Sequence, residues 1–396
     1  MACTALAGRA RIANNSTDKA DHEEKAGKDM HRFCMARAGD TVAAMTQPHP
    51  VLVEALRGAV VESAHRGAVA VLDADGTVHT QLGDIERPIF PRSAVKVLQA
   101  LPLVESGAAD RWQLSNEELA LACASHGGEP RHASTAAAML AKAGVDVSAL
   151  ECGTHWPYND AAIKALAAAG QQPSALHNNC SGKHAGFVCL GCWMADEGAG
   201  GSDRRAFLSG YVKPGHPVMR EVTAALQNTT GYDLARAAVG TDGCSIPTYA
   251  VPLRHLALAF ARLGTGVGLS AGHQRAALRL RAAVAAAPYM VAGSGRFDSR
   301  VMTLLGERVF CKVGAEGVYC AALPALGLGV AIKMDDGNTA RACEVVMAAV
   351  LLSLLPMTDT EREFMQRLAT PTLTNWNGIE VGALRPGAAL RVATPA

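Results

Sequence analysis

Strand-like runs of apolar residues lie near both ends of the chain, and helix-like spacing fills the middle. The first ordered pattern begins near Pro48, just after Met45. "GAVAVLDADGTVHTQLGD" holds two short apolar runs around Asp75-Gly76, which predicts a β-hairpin. From about residue 94 to 285 the sequence turns alanine-rich, as in "NEELALACAS", "STAAAMLAKAG" and "DAAIKALAAAG", with breaks at Gly and Pro. Far downstream, "GVYCAALPALGLGVAIKMDDG" predicts two more strands joined by a short Pro/Gly turn. Asn338 or Thr339 can then cap the apolar helix in "ACEVVMAAVLLSLLP".

The architecture that follows is α/β of the α+β kind. An antiparallel sheet is formed by both chain ends and flanked by helices, with a helical lobe inserted between them. A binding site is expected where lobe meets sheet. Residues 1–44, including "NNSTDKADHEEKAGKDMHR", are polar and aperiodic, and are expected to be a disordered extension or to lie upstream of the true start. Residues 45–396 are expected to form the folded, functional region.

Composition narrows the classes of function. Of 396 residues, 49% are hydrophobic and 18% charged, enough for a large core in one or two domains. A formal net charge of +1, without basic runs interleaved with aromatics, gives no footprint for nucleic acid. The longest apolar stretch carries Glu344 and stops at Pro356, short of the roughly 20 residues that span a bilayer, so no membrane segment is expected. Eleven cysteines without framework spacing, and no secretory pattern at the N-terminus, suit a reducing cytoplasm. Arg204-Arg205, after the Gly-rich "DEGAGGS", reads as a solvated surface pair.

Three motifs carry chemistry. In "FPRSAVKVLQA", Ser93 precedes Lys96 by three residues in an apolar run. Alone, such a lysine snorkels to the surface. If it stays buried, desolvation and a neighbouring cation favour the free amine, which can take a proton from serine. Pro91 can start a helix that places Ser93 near an N-terminus, where N–H groups favour an oxyanion. "ACASHGGEPRH" presents Ser125 at a helix end, and "FCKVGAEGVYC" presents Lys312 in a K-x-G motif before the first strand of the C-terminal hairpin. This order of S-x-x-K, serine motif and K-x-G is that of serine acyl-transfer enzymes.

A further feature, "HNNCSGKHAGF" with "TDGCSIP" around Cys244, gathers two thiols, two histidines and a lysine. On spacing alone these are a zinc site or buried small hydrophobes. Cys189 and Cys192 belong to a core helix, and Cys152 fits either reading.

With "CGTHWP", "GYVKPGHPV", "GSGRFDS" and the closing "WNGIEVGALRP", these stretches resemble the asparaginase II family of the Rhizobium etli type, from about residue 48 to the end. The resemblance implies a fold similar to serine β-lactamases and glutaminases. It also implies hydrolysis of L-asparagine to L-aspartate and ammonia through a serine acyl-enzyme, and a homodimer. It maps two Ser-Lys tandems onto Ser93 with Lys96 and Ser125 with Lys312. A zinc ion falls on Cys180, Lys183 and Cys244. Arg92, His184 and Asp242, beside these residues, are candidates for holding the substrate's α-carboxylate and α-ammonium. "MADEGAGGSDRRA" departs from the family pattern as an insertion. A pocket separates glutamine from asparagine by one methylene, worth about 1–3 kcal/mol, so some glutaminase activity is compatible. A β-lactam-reactive hydrolase and a non-enzymatic zinc protein remain as alternatives.

Overall fold

The computed structural model describes residues 48–198 and 203–392. The expectation of disorder over residues 1–44 lies outside them. Eight strands form one sheet: β1 (Val51–Arg57), β2 (Val60–Asp73), β3 (Val78–Leu82), β4 (Phe310–Val313), β5 (Val318–Leu323), β6 (Leu328–Met334), β7 (Thr372–Thr374) and β8 (Glu380–Pro386). Their order is β7-β8-β1-β2-β6-β5-β4, with β3 also paired to β2. Every pairing is antiparallel. The sheet is therefore built from both ends of the described chain.

β2 is the spine of this sheet. Its first half pairs with β1, and its second half pairs with β6 in a register running from Gly67↔Met334 to Asp73↔Leu328. The predicted hairpin closes at Gly76, whose φ of 91° suits glycine. Asp73 Oδ1 accepts the Asp75 and Thr77 amides there.

Helices cover both faces where β2 meets β6. The helices used below are α1 (Asn116–Ala122), α2 (Ser181–Glu197), α3 (Leu253–Thr265), α4 (Phe297–Leu305) and α5 (Glu344–Leu354). On one face α3 lies so close that a Cβ at Gly329 would strike the Ala257 carbonyl. On the other, Val69 and Val71 line a small cavity together with Ala349, Val350 and Leu354 of α5. With both faces dry, "AVAVL" is an unbroken apolar run rather than an alternating one. Each such fully buried Val or Leu contributes about 1.5–3 kcal/mol.

As expected, Asn338 caps the entry to α5: its Oδ1 accepts the Arg341 amide at 3.0 Å. The first turn, Thr339–Cys343, is a wider π turn. No described helix is long and apolar enough to cross a membrane.

The structure differs from the sequence reading in four places. The helical region runs on to Leu305, past residue 285. Inside it lie two small ribbons, Pro88–Ile89 with Val251–Pro252 and Val239–Thr241 with Pro247–Tyr249. The "FCKV" segment is itself a strand, β4, rather than the approach to one. Arg204 is not simply solvated: it grips Asp196 with two nitrogens at 2.8 and 2.7 Å, donates to the Ala143 carbonyl and lies over Trp112.

Candidate active site

The Ser93 turn follows the short Pro88–Ile89 strand. Arg92 has φ 51°, in the left-handed region that a residue with a Cβ enters at a cost. The chain then makes a 3₁₀ turn over Arg92–Val95 before an α turn over Lys96–Gln99. The expected helix start is thus tighter than an α-helix, with the Lys96 amide bonded to the Ser93 carbonyl. The K-x-G strand presses on this turn. A Cβ at Gly314 would stand 2.6 Å from the Pro91 carbonyl oxygen and 3.3 Å from the Ala94 Cβ. Ser93 remains half-buried, whereas Lys96 is sealed from solvent.

Lys96 Nζ donates to the Ala124 carbonyl at 2.7 Å, to Ser125 Oγ at 2.8 Å and to Cys180 Sγ at 3.0 Å. A free amine has two hydrogens, enough for the Ala124 carbonyl and Cys180 Sγ, and its lone pair would then accept the Ser125 hydroxyl. Among the described residues no side-chain hydrogen bond joins Ser93 to Lys96 or Ser125 to Lys312. The lysine of the first motif instead bonds the serine of the second.

Ser125 owes its place to tight packing around the end of α1. That helix starts with a reciprocal cap between Ser115 and Glu118. At its far end a Cβ on Gly182 of α2 would collide with the Leu121 carbonyl. The Ser125 amide then bonds the Val291 carbonyl at 2.9 Å, and the His126 amide bonds the Asn179 carbonyl at 3.2 Å. His126 Nδ1 accepts the Gly128 amide, so its Nε2–H donates to Ser181 Oγ at 3.0 Å. Burial, then the neighbouring His132 and Lys96, hold this imidazole neutral, well below its ordinary pKa. His126 stacks on His132, which stacks on Tyr289, with centroids 4.7 Å apart at each step.

Lys312 approaches from β4 and is fully buried. Its Nζ donates to the Val313 carbonyl at 2.9 Å and stands 3.9 Å from Asp298 Oδ2. Burial pushes the amine down to about 8; Asp298 pushes it back up, and Lys96 adds to the depression.

The thiol motifs converge next to Lys96. Cys180 precedes α2, and Lys183 lies in its first turn. Cys244 sits in the turn of the Val239–Tyr249 ribbon, followed by Ser245 with φ 76°. Lys183 Nζ donates to Cys244 Sγ at 2.9 Å. A hydrogen bond from Cys244, then Lys96 and Lys183, pull the Cys180 thiol well below its usual range against burial, while the same bond and burial push Cys244 up. The other members of the sequence motif point elsewhere. His177 Nδ1 accepts the Ser174 amide, and His184 Nδ1 accepts the Tyr211 hydroxyl at 2.7 Å, leaving Nε2 without a partner among the described residues. The described residues contain no group of three His, Cys, Asp or Glu able to hold a metal ion, so a metal here needs Lys183 as a donor. Two sulfurs and an amine converging in one buried cluster fit zinc in kind.

Of the three candidate substrate residues, two meet. Arg92 donates to Asp242 Oδ1 through Nε at 3.0 Å and Nη2 at 2.9 Å, tying the Ser93 turn to the Cys244 turn. His184 stands apart, fully buried under Tyr211.

The chain matches the family profile described as L-asparaginase II over residues 53–386. It belongs to the L-asparaginase II family. A search among curated proteins found no match. Membership makes the protein an asparaginase-type hydrolase acting on a small molecule, and every motif quoted above from "FPRSAVK" to "WNGIEVGALRP" falls within the matched span. Against that family setting, the sequence reading overlooked three residues that the structure brings to the site. Asp298 lies in the quoted "GSGRFDS" and faces Lys312. Tyr211, in "GYVKPGHPV", orients His184. His126 follows Ser125 directly, and its full burial is a tertiary property with no local signal. Cys189 and Cys192 are core residues of α2 as expected. Cys152 is also buried, its Sγ against the Gly153 and Ala175 carbonyls, with burial raising the thiol to about 12.

Proposed function

We propose that the protein hydrolyses the side-chain amide of L-asparagine through a serine ester. The observation that supports this best is the sealed Lys96 amine, 2.8 Å from Ser125 Oγ and one turn after Ser93, in a chain of this family. Ser93 Oγ attacks the amide carbon, and its proton passes towards Lys96 with the Ser125 hydroxyl as bridge. The C–N bond then breaks, and ammonia leaves with a proton drawn from the lysine–serine relay. Water adds to the ester, the C–O bond to Ser93 breaks, and aspartate departs while Ser93 recovers its proton.

A second reading makes Ser125 the nucleophile. It is favoured by the 2.8 Å bond to Lys96, which Ser93 lacks. An electrophilic asparagine analogue followed by peptide mass spectrometry separates the two, because the acylated serine lies in a different peptide in each case.

Arg92 and Asp242 offer opposite charges beside the Ser93 turn, the complement of a zwitterionic amino acid. His184, fully buried and bonded to Tyr211, stays outside this pair. A zinc ion would be held by Cys180, Lys183 and Cys244, and would supply positive charge that helps hold an amino-acid carboxylate. The deciding experiment measures ammonia released from asparagine and glutamine by the wild type and Ser93→Ala. Asparagine-selective release that vanishes in the variant supports the reading; no release from folded, zinc-loaded protein overturns it.

A further inference from the structure

We infer that Asp298 is the positioning residue of Lys312, fixing the direction and the charge of its amine at the serine–lysine centre; the inference rests on the amide-hydrolysis reading above.

Asp298 lies in the first turn of α4 and is 1% exposed, while Lys312 is 0% exposed. The two side chains come from different elements and address the same residue. Asp298 Oδ2 accepts the Val313 amide at 3.3 Å, and Lys312 Nζ donates to the Val313 carbonyl at 2.9 Å. Because β4 is the last strand of its sheet, backbone groups on its open side have no strand partner. The pair uses that edge as a template, which sets Lys312 against Asp298 with 3.9 Å between Nζ and Oδ2.

A purely structural carboxylate would be expected to have both oxygens satisfied. Asp298 Oδ1 is buried and has no partner among the described residues. Lys96, Arg296 and Cys180 act on Lys312 along with Asp298; Arg296, Glu344 and Cys311 act on Asp298. Burial drives both members toward neutrality, raising the carboxyl and lowering the amine, and each opposes that effect on the other. The result is an amine near its own midpoint around neutral to mildly alkaline pH, able to give a proton in one step and take one in the next. Without the carboxylate, burial, Lys96 and Arg296 act on Lys312 with only Cys180 opposing them.

The test follows Lys312 directly by NMR of protein labelled at lysine Cε, its resonance assigned by loss in Lys312→Met. In Asp298→Asn the Lys312 midpoint is expected to fall by about 1 to 3 in pH. The acid limb of kcat/KM for asparagine should move by the same amount, and Asp298→Glu should restore both in part. A folded Asp298→Asn protein with an unmoved midpoint overturns the inference. Should Asp298→Asn not fold, Lys312→Met reads the pair from the other side. The Asp298 carboxyl, followed by its own carbon resonance, should then titrate at higher pH than in wild type, and no change overturns the inference. If wild type releases ammonia from no amide while the Lys312 midpoint still falls in Asp298→Asn, the positioning role stands and the amide-hydrolysis reading falls.

Discussion

Lys96 Nζ lies 2.8 Å from Ser125 Oγ, the serine 29 positions away, while the serine three residues before it makes no side-chain bond to it. The two motifs are therefore one hydrogen-bonded unit rather than two parallel pairs. Such a unit fails as a whole. Ser125→Ala and Lys96→Met should each lower kcat/KM for asparagine about 10²- to 10⁴-fold, and the double variant should be little worse than either single one. Multiplicative losses in a steady-state comparison would show that the two residues act independently.

Stability should rise with pH as the Lys312 site loses its proton. Its folded midpoint is depressed to about 8 by burial, whereas an unfolded lysine titrates near 10.4. Between those values the unfolded chain binds more protons than the native one, so the free energy of unfolding increases with pH across that window. The gain is on the order of 3 kcal/mol at most, and is absent below about pH 8, where both states are protonated. Urea titrations from pH 7 to 10.5 on wild type and Lys312→Met should differ in slope; parallel curves would contradict this.

Gly314 tests whether strand and serine turn must touch. Alanine there puts a Cβ 2.6 Å from the Pro91 carbonyl oxygen. The expected loss is about 1–3 kcal/mol of stability, with a fall in kcat because the turn bearing Ser93 is displaced. An alanine variant with wild-type kcat would show that the contact does not set the geometry.

Arg92 and Asp242 should behave as a pair toward substrate. Arg92→Ala and Asp242→Ala are each expected to raise KM more than they lower kcat, with non-additive effects in the double variant. Equal losses in kcat with an unchanged KM would assign the pair to the chemistry rather than to holding the amino acid.

Metal removal should also act on binding first. Dialysis against a chelator is expected to raise the asparagine concentration for half-maximal rate, and Cys180→Ala or Cys244→Ala should lower zinc content measured on the same samples. A stripped protein that keeps its affinity and loses only rate would refute the assignment.

Much of this site was legible because burying a lysine is unusual. Lys96, Lys183 and Lys312 are three of the largest fully buried side chains, and each stands out in sequence beside Ser, Cys or Gly in an apolar run. The partner exchange to Ser125 was not legible, since it depends on α2 approaching α1 closely enough that Gly182 touches Leu121. Asp298 was hidden for a related reason: in "GRFDS" it looks like any acidic residue in the first turn of a helix. The sheet edge formed by β7 and β8 also escaped notice. β8 carries Gly382 where a Cβ would strike the Leu56 carbonyl, and with only Gly382 and Leu384 buried along it the apolar alternation that marks a strand is weak.

The spine strand has a consequence for how the protein is made. A ribosome delivers β2 early, together with β1 and β3, but its other main neighbour, β6, emerges only after the entire helical region has been synthesised. Until then one flank of the "AVAVL" segment has no β6 to pair with, and the Ser93 turn lacks the Gly314 strand that presses on it. Chain closure over so long a separation is slow and leaves sticky intermediates. Nascent chains stalled before Leu328 should therefore be protease-sensitive clients of chaperones, with activity arriving only at the end of translation.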